Sequence, residues 1–167
     1  MAERPIVIYG DPVLREVSKP VDSVNQQVKD LVSDMTDTLR KARGLGLAAV
    51  QISVLKRVFL VDLSVLDARE TLRVFINPEI ISATGEIELE EGCLSFPDLY
   101  QMIVRPAKVT VRALGVDGRP FELTADGMSA RAILHEYDHL EGKLFIDHLS
   151  PLTRQLLKGR LKKLAAC

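Results

Sequence analysis

Two histidines four residues apart, with a glutamate directly after the first, are the most chemically pointed feature of this chain: His135-Glu136-Tyr137-Asp138-His139. On an α-helix, residues i and i+4 share a face. Both imidazoles can then reach one cation at about 2.0–2.1 Å, the usual Zn–N distance. Glu136 would stand beside the ion without being a ligand, placed to poise a water. The plainer alternative is a surface helix that happens to show two imidazoles and an acid. The chain holds 3 histidines, and two of them fall at this spacing, which favours the metal reading.

A catalytic site needs a third protein ligand and an open position. A metzincin would continue His-x-x-Gly-x-x-His; Gly142 is present, but the next required position is Phe145, which cannot bind metal. No acid follows Asp147. Glu141 points off the ligand face, and His148 would need a tight chain reversal. The third ligand is therefore expected upstream, and Cys93 in Glu91-Gly92-Cys93-Leu94-Ser95 is the leading candidate. A thiolate suits borderline and soft divalent metals. Taken alone, Cys93 reads better as a buried structural cysteine; beside an incomplete pair of histidine ligands, the ligand reading is favoured.

Gly44-Leu45-Gly46-Leu47-Ala48-Ala49-Val50-Gln51 is a third segment of interest. Glycines let a substrate backbone approach closely, and the Gln51 amide could donate to a developing oxyanion. A helix stop followed by small packing residues is the bland alternative.

The elements that must position these groups follow from the pattern of apolar residues. Residues 1–22 read as irregular. Ser23 and Gln26 have capping-box spacing, and Val24, Val28, Leu31, Met35, Leu39 and Ala42 predict a helix, with Gly44 placed to stop it. Strands are expected at Arg57–Leu63, Leu72–Asn77, Glu86–Glu90, Lys108–Ala113 and Phe121–Thr124, with a hairpin turn at Asp117-Gly118. Residues 127–141 predict the helix carrying both histidines. Ser150 and Pro151 predict the cap and first turn of a last helix with Leu152, Leu156, Leu161 and Leu164 as its apolar stripe. Helix, hairpin-linked strands, then two helices imply an α+β fold: mainly antiparallel strands around a central histidine-bearing helix, with a C-terminal helix. A chain of 167 residues suits a single domain over 1–167.

Composition narrows the function. Hydrophobic residues make up 47% and charged residues 27%, as in a globular protein. The net charge is −1, which advertises neither a DNA nor a membrane partner. No apolar run matches a membrane span, and the N-terminus lacks the pattern of a secretory leader. Of the 2 cysteines, Cys167 is terminal, so a disulfide framework is not expected and the cytoplasm is the expected compartment. The last helix carries Arg154, Lys158, Arg160, Lys162 and Lys163 without an acid. That face could touch ribosomal RNA weakly, or simply be a solvated amphipathic surface.

Taken together, Gly44–Gln51, Glu91–Ser95 and His135–His139 resemble the three motifs of the peptide deformylase family, in the same order and over nearly the whole chain. Asp11-Pro12-Val13-Leu14-Arg15 and Asp138-His139-Leu140 also fit. The resemblance implies a metal-dependent hydrolase that removes the N-terminal formyl group from the initiator Met of nascent polypeptides and releases formate. It implies Cys93, His135 and His139 as ligands to one divalent ion per chain, typically Fe(II), with zinc or nickel able to substitute. Glu136 would be the general acid/base, and the Leu94 N–H and Gln51 side chain would hold the oxyanion. Leu45, Gly46, Leu89, Met128 and Ala132 would line the methionine pocket. Tyr100 stands where some bacterial members carry an Arg, a departure that bears on peptide affinity. A general zinc peptidase and a non-catalytic metal-binding module are the rival readings.

Overall fold

The computed structural model describes residues 2–166; the expectation that Cys167 makes no disulfide lies outside the described residues. The chain opens irregularly, with one 3-10 turn at Pro12–Arg15 capped by Asp11. Helix α1, Gln26–Ala42, begins at Asn25, whose side chain accepts from the Val28 N–H. Ser23 is therefore not the cap: the residue with a free carbonyl one turn ahead of Val28 wins. The helix ends on Arg43 in the left-handed conformation, φ 56°, so Gly44 follows the stop and does not make it.

Strands β1 (Gly46–Ala48), β2 (Val58–Asp62) and β3 (Leu72–Thr84) come next. β3 runs well past the expected end at Asn77. Asn77-Pro78 reads as a turn, but Asn77 takes a positive φ of 50° and the strand resumes beyond an irregularity in its pairing between Ile76 and Glu79. Strands β4 (Ile87–Cys93) and β5 (Phe96–Arg105) form a hairpin. β5 was not foreseen. Pro97 argues against a strand, and here pairing jumps from Gly92–Tyr100 to Cys93–Phe96. Pro97, Asp98 and Leu99 are left out of the pairing there, with Asp98 at φ 60°, which is how the proline is tolerated. Strands β6 (Lys108–Leu114) and β7 (Pro120–Asp126) complete the sheets. Helix α2 is Gly127–Leu140, and helix α3 is Pro151–Ala165, capped by Ser150 with Pro151 in its first turn.

All pairings between these strands are antiparallel, in a five-stranded sheet ordered β1-β2-β3-β6-β7 and the separate β4–β5 hairpin. The uninterrupted apolar run of β2 has a direct cause. Phe59 and Val61 face a core shared with Ala130, Ile133 and Leu140 of α2. Val58 and Leu60 face Val28, Leu31 and Met35 of α1. A strand covered on both faces needs no polar alternation. A third core joins Phe96, Leu99 and Ile103 of β5 to Phe145, Leu157 and Leu161. The α3 stripe thus differs from expectation. Leu157 and Leu161 are buried, while Leu152 and Leu156 are 71% and 76% exposed, because α3 lies against β5 through a narrower face. No helix among the described residues is long and apolar enough to cross a membrane.

Candidate metal centre

Helix α2 carries His135, Glu136 and His139 on its buried side, and the tight turn after β4 brings Cys93 against them. One donor atom from each of Cys93, His135 and His139 falls within 4.8 Å of the others. Cys93 Sγ is 3.4 Å from His139 Nε2. Ligands held roughly 2.0–2.3 Å from one tetrahedral ion stand about 3.3–3.8 Å apart; the Cys93–His139 pair is already at that separation, and the whole donor set is close enough to converge on one cation. Burial drives the His139 pKa down to about 3, which keeps its imidazole neutral and its lone pair available.

Outside the three donors lies an ionic hub that sequence reasoning did not find. Glu91 accepts two bonds from Arg105, at 2.7 and 2.8 Å, and one of 2.9 Å from Arg131. Its Oε2 lies 2.6 Å from His135 Nδ1, leaving Nε2 of that ring for a metal. Such an acceptor behind a ligating imidazole fixes its tautomer and orientation. Burial pushes the Glu91 carboxyl up, but Arg105 and His135 outweigh it and hold the group well below the usual carboxylate range. Burial likewise disfavours charge on His135, yet Cys93 and Glu91 outweigh that and raise it well above 6.5. Arg105 also donates to Asp138, at 2.9 Å, and His148 meets Asp138 at 2.8 Å. Asp138 is therefore part of the hub, and His148 serves Asp138 in place of the ligand set. Arg131 is thereby held in a buried ion pair with Glu91. Strand parity could have exposed Glu91: Glu86, Glu88 and Glu90 share one face, and Glu91 alone falls on the other.

Glu136 is 4% exposed and its Oε1 has no hydrogen-bond partner. Burial pushes its pKa up to about 7, suited to both taking and giving a proton near neutrality. Gly46 of β1 lies directly over it: a Cβ there would stand 2.7 Å from Glu136 Oε2. Gln51 is 1% exposed. Its Oε1 accepts from the Ala48 N–H at 2.9 Å, and its Nε2 donates to Ser95 Oγ at 3.1 Å and faces Cys93 Sγ at 3.7 Å. The amide is thereby locked with its NH₂ toward the centre.

These groups open onto a cleft of about 460 Å³. Leu45, Gly46, Met128 and Ala132 line it, as do Gln51, Leu94 and Tyr100. Leu89 does not: it is half-buried on β4, two residues before Glu91, and is not part of the cleft lining.

The family model for polypeptide deformylase matches residues 3–155. The chain belongs to that family. It is 48% identical over 165 residues to a peptide deformylase of Stutzerimonas stutzeri, covering 98% of this chain and 97% of that one. It is also 48% identical over 164 residues to peptide deformylase 1 of Ralstonia nicotianae, covering 98% and 96%. Among solved structures, peptide deformylase from Legionella pneumophila superposes with a TM-score of 0.89 at 48% identity, over 97% of this chain and 95% of that chain. The Ehrlichia chaffeensis enzyme in complex with actinonin gives 0.90 at 36% identity, over 98% of each. Peptide deformylases are metal-dependent hydrolases that remove N-terminal formyl groups from nascent polypeptides, and this chain is one of them.

Proposed function

We propose that Cys93, His135 and His139 hold the one divalent ion of this peptide deformylase, and that the cleft beside them receives the formyl-methionine end of the substrate. The observation that carries this is the convergence of three donor atoms from two distant segments within 4.8 Å, next to a buried carboxylate with an unpartnered oxygen. A thiolate and two imidazoles suit Fe(II), with Zn(II) and Ni(II) able to substitute. The ion supplies Lewis acidity toward the formyl carbonyl and toward water. Glu136 takes a proton from the attacking water and delivers it to the amine nitrogen as the C–N bond breaks, so formate and a free amino terminus leave. Gln51 Nε2 and the Leu94 N–H donate to the oxygen on which negative charge develops. Leu45, Gly46, Met128 and Ala132 enclose the methionine side chain. Glu91 holds His135 in line. The chain works as a single catalytic domain, a reading supported by α2, which carries two ligands while packing on the large sheet and bonding to the hairpin.

The test is anaerobic assay of metal-loaded protein on formyl-Met-Ala-Ser and on internally blocked peptides. Formate release from the first alone is expected. Glu136→Gln is expected to keep its metal and lose activity by at least ~100-fold. Cleavage of internal bonds, or no turnover in any metal form, would overturn the assignment. Weak ribosome contact through α3 belongs to the same proposal and is supported by exposed Lys158 and Lys162. Arg160 is engaged elsewhere, donating to the Asp98 carbonyl at 2.9 Å. Charge reversal of Lys158 and Lys162 should abolish co-sedimentation with ribosomes; unchanged co-sedimentation removes the idea.

A further inference from the structure

The outward face of the β4–β5 hairpin is unlike an ordinary solvent face. β5 exposes Tyr100, Met102 and Val104 at 60%, 52% and 48%, while the alternate residues Leu99, Ile103 and Arg105 are buried and Gln101 is half-buried. A half-buried antiparallel sheet normally puts its apolar residues inward and polar ones outward. Here β5 presents large apolar side chains on both faces. Register sets Gly92 opposite Tyr100, Glu90 opposite Met102 and Glu88 opposite Val104. Glu88 and Glu90 are exposed, and neither has a partner among the described residues. The face is therefore an apolar row flanked by an acidic row.

This face is continuous with the cleft. Gly92, Glu90 and Tyr100 line the cleft itself. The Tyr100 ring lies flat over Gly92, where a Cβ would stand 2.5 Å from Tyr100 Cε1. From there the two rows run away from Cys93. Tyr100 to Val104 spans ~13 Å at about 3.3 Å per residue, the reach of four residues of extended peptide. Exposed apolar surface next to a binding cleft marks a recognition surface, and side chains spaced two apart on a strand match alternate side chains of an extended ligand.

We propose that the Tyr100–Met102–Val104 face, with Glu88 and Glu90 beside it, is a docking track for the substrate segment downstream of the formyl-methionine, and that it favours extended segments in which apolar and basic side chains alternate. This rests on the cleft being the formyl-peptide site. Apolar side chains of the nascent chain cover Met102 and Val104, while Lys or Arg side chains reach the two glutamates. The enzyme thereby discriminates among nascent chains by residues several positions from the bond it cuts.

The test compares metal-loaded enzyme on formyl-Met-Ala-Ser, on the same peptide extended by Leu-Lys-Leu-Lys, and on one extended by Leu-Glu-Leu-Glu. The Lys-extended peptide is expected to exceed the tripeptide in kcat/KM by roughly tenfold, mainly through KM. The Glu-extended peptide is expected at or below the tripeptide. Rising salt should shrink the difference between the two extensions. The double variant Met102→Ser/Val104→Ser and the single variant Glu88→Lys should each abolish most of the gain while leaving tripeptide turnover unchanged. No turnover of the tripeptide by the parent enzyme sinks the cleft assignment itself. Tripeptide turnover without a gain from extension, or a gain that survives both variants, sinks the docking track alone. A concentration-dependent dimer that dissociates in the double variant, with extension again giving nothing, assigns the face to a second copy and overturns the proposal.

Discussion

Glu91 shows how much of this centre depends on a side chain that touches no substrate. Two guanidiniums and one imidazole converge on its carboxylate from β5 and α2. Glu91→Ala leaves Arg105 and Arg131 buried without that counter-charge, and removing one partner of a buried pair costs about 3–5 kcal/mol. The same variant frees His135 to rotate, for which about 10–100-fold weaker metal retention is expected. Denaturant unfolding and metal competition read the two effects separately. Wild-type stability with wild-type metal affinity in Glu91→Ala would remove the hub from the account. The three proposed ligands were readable from the chain because their types are rare in it and the two histidines have helical spacing. Glu91 was not singled out, since it sits among other acids and only strand parity sets it apart. Arg105 carries no local signal at all: its partner lies fourteen positions away across a strand pair.

At the level of elements, the helix carrying Lys158 was readable from its Ser150-Pro151 start, the helix carrying His135 from a run without Pro or internal Gly, and most strands from alternation or from runs of Val, Ile, Leu and Phe. What escaped was decided by long-range contacts. β5 hides behind Pro97 and a bulge, and the outer half of β3 hides behind Asn77-Pro78. In α3, two exposed leucines imitate a core stripe that tertiary packing places elsewhere. The link between the first 3-10 turn and the α2–α3 connection also escaped: Arg15 donates to Asp147 at 2.6 and 3.0 Å, and Asp147 accepts from the Leu144 N–H at 3.0 Å. Burial pushes the Asp147 carboxyl up, but Arg15 and the Leu144 N–H outweigh it, so its pKa is lowered on folding. A depressed folded pKa gives stability that is present above the unfolded value, near 3.9, and lost as pH falls through the folded one. Asp147→Asn should therefore lower the melting temperature at pH 7 by about one to three degrees. That gap should close as the pH is taken below about 4. A gap that stays constant down to pH 2 would show that the carboxylate charge contributes nothing.

On the scale of the whole molecule, α2 packs on the large sheet on one side and bonds to the hairpin on the other. An ion held by Cys93 and by both histidines, as proposed, would close that arrangement across two elements. A ligand at a thousandfold excess over its dissociation constant stabilises by about 4 kcal/mol, so stripping the metal should lower the melting temperature by on the order of 10 °C for a chain of this size. Calorimetry with and without chelator, followed by re-addition of Fe(II), Ni(II) or Zn(II), measures it. An unchanged midpoint would mean that the donors meet without gripping anything.

The pairing jump between Gly92 and Cys93 has one more implication. Side chains alternate along a strand, so sliding β4 by a single residue would turn the thiol outward and send Glu91 to the surface with it. Only one alignment of the hairpin assembles a complete ligand set. Capture of the proposed ion would thus act as a proofreader of strand alignment, rewarding the correctly threaded chain and leaving the mis-threaded one without its anchor.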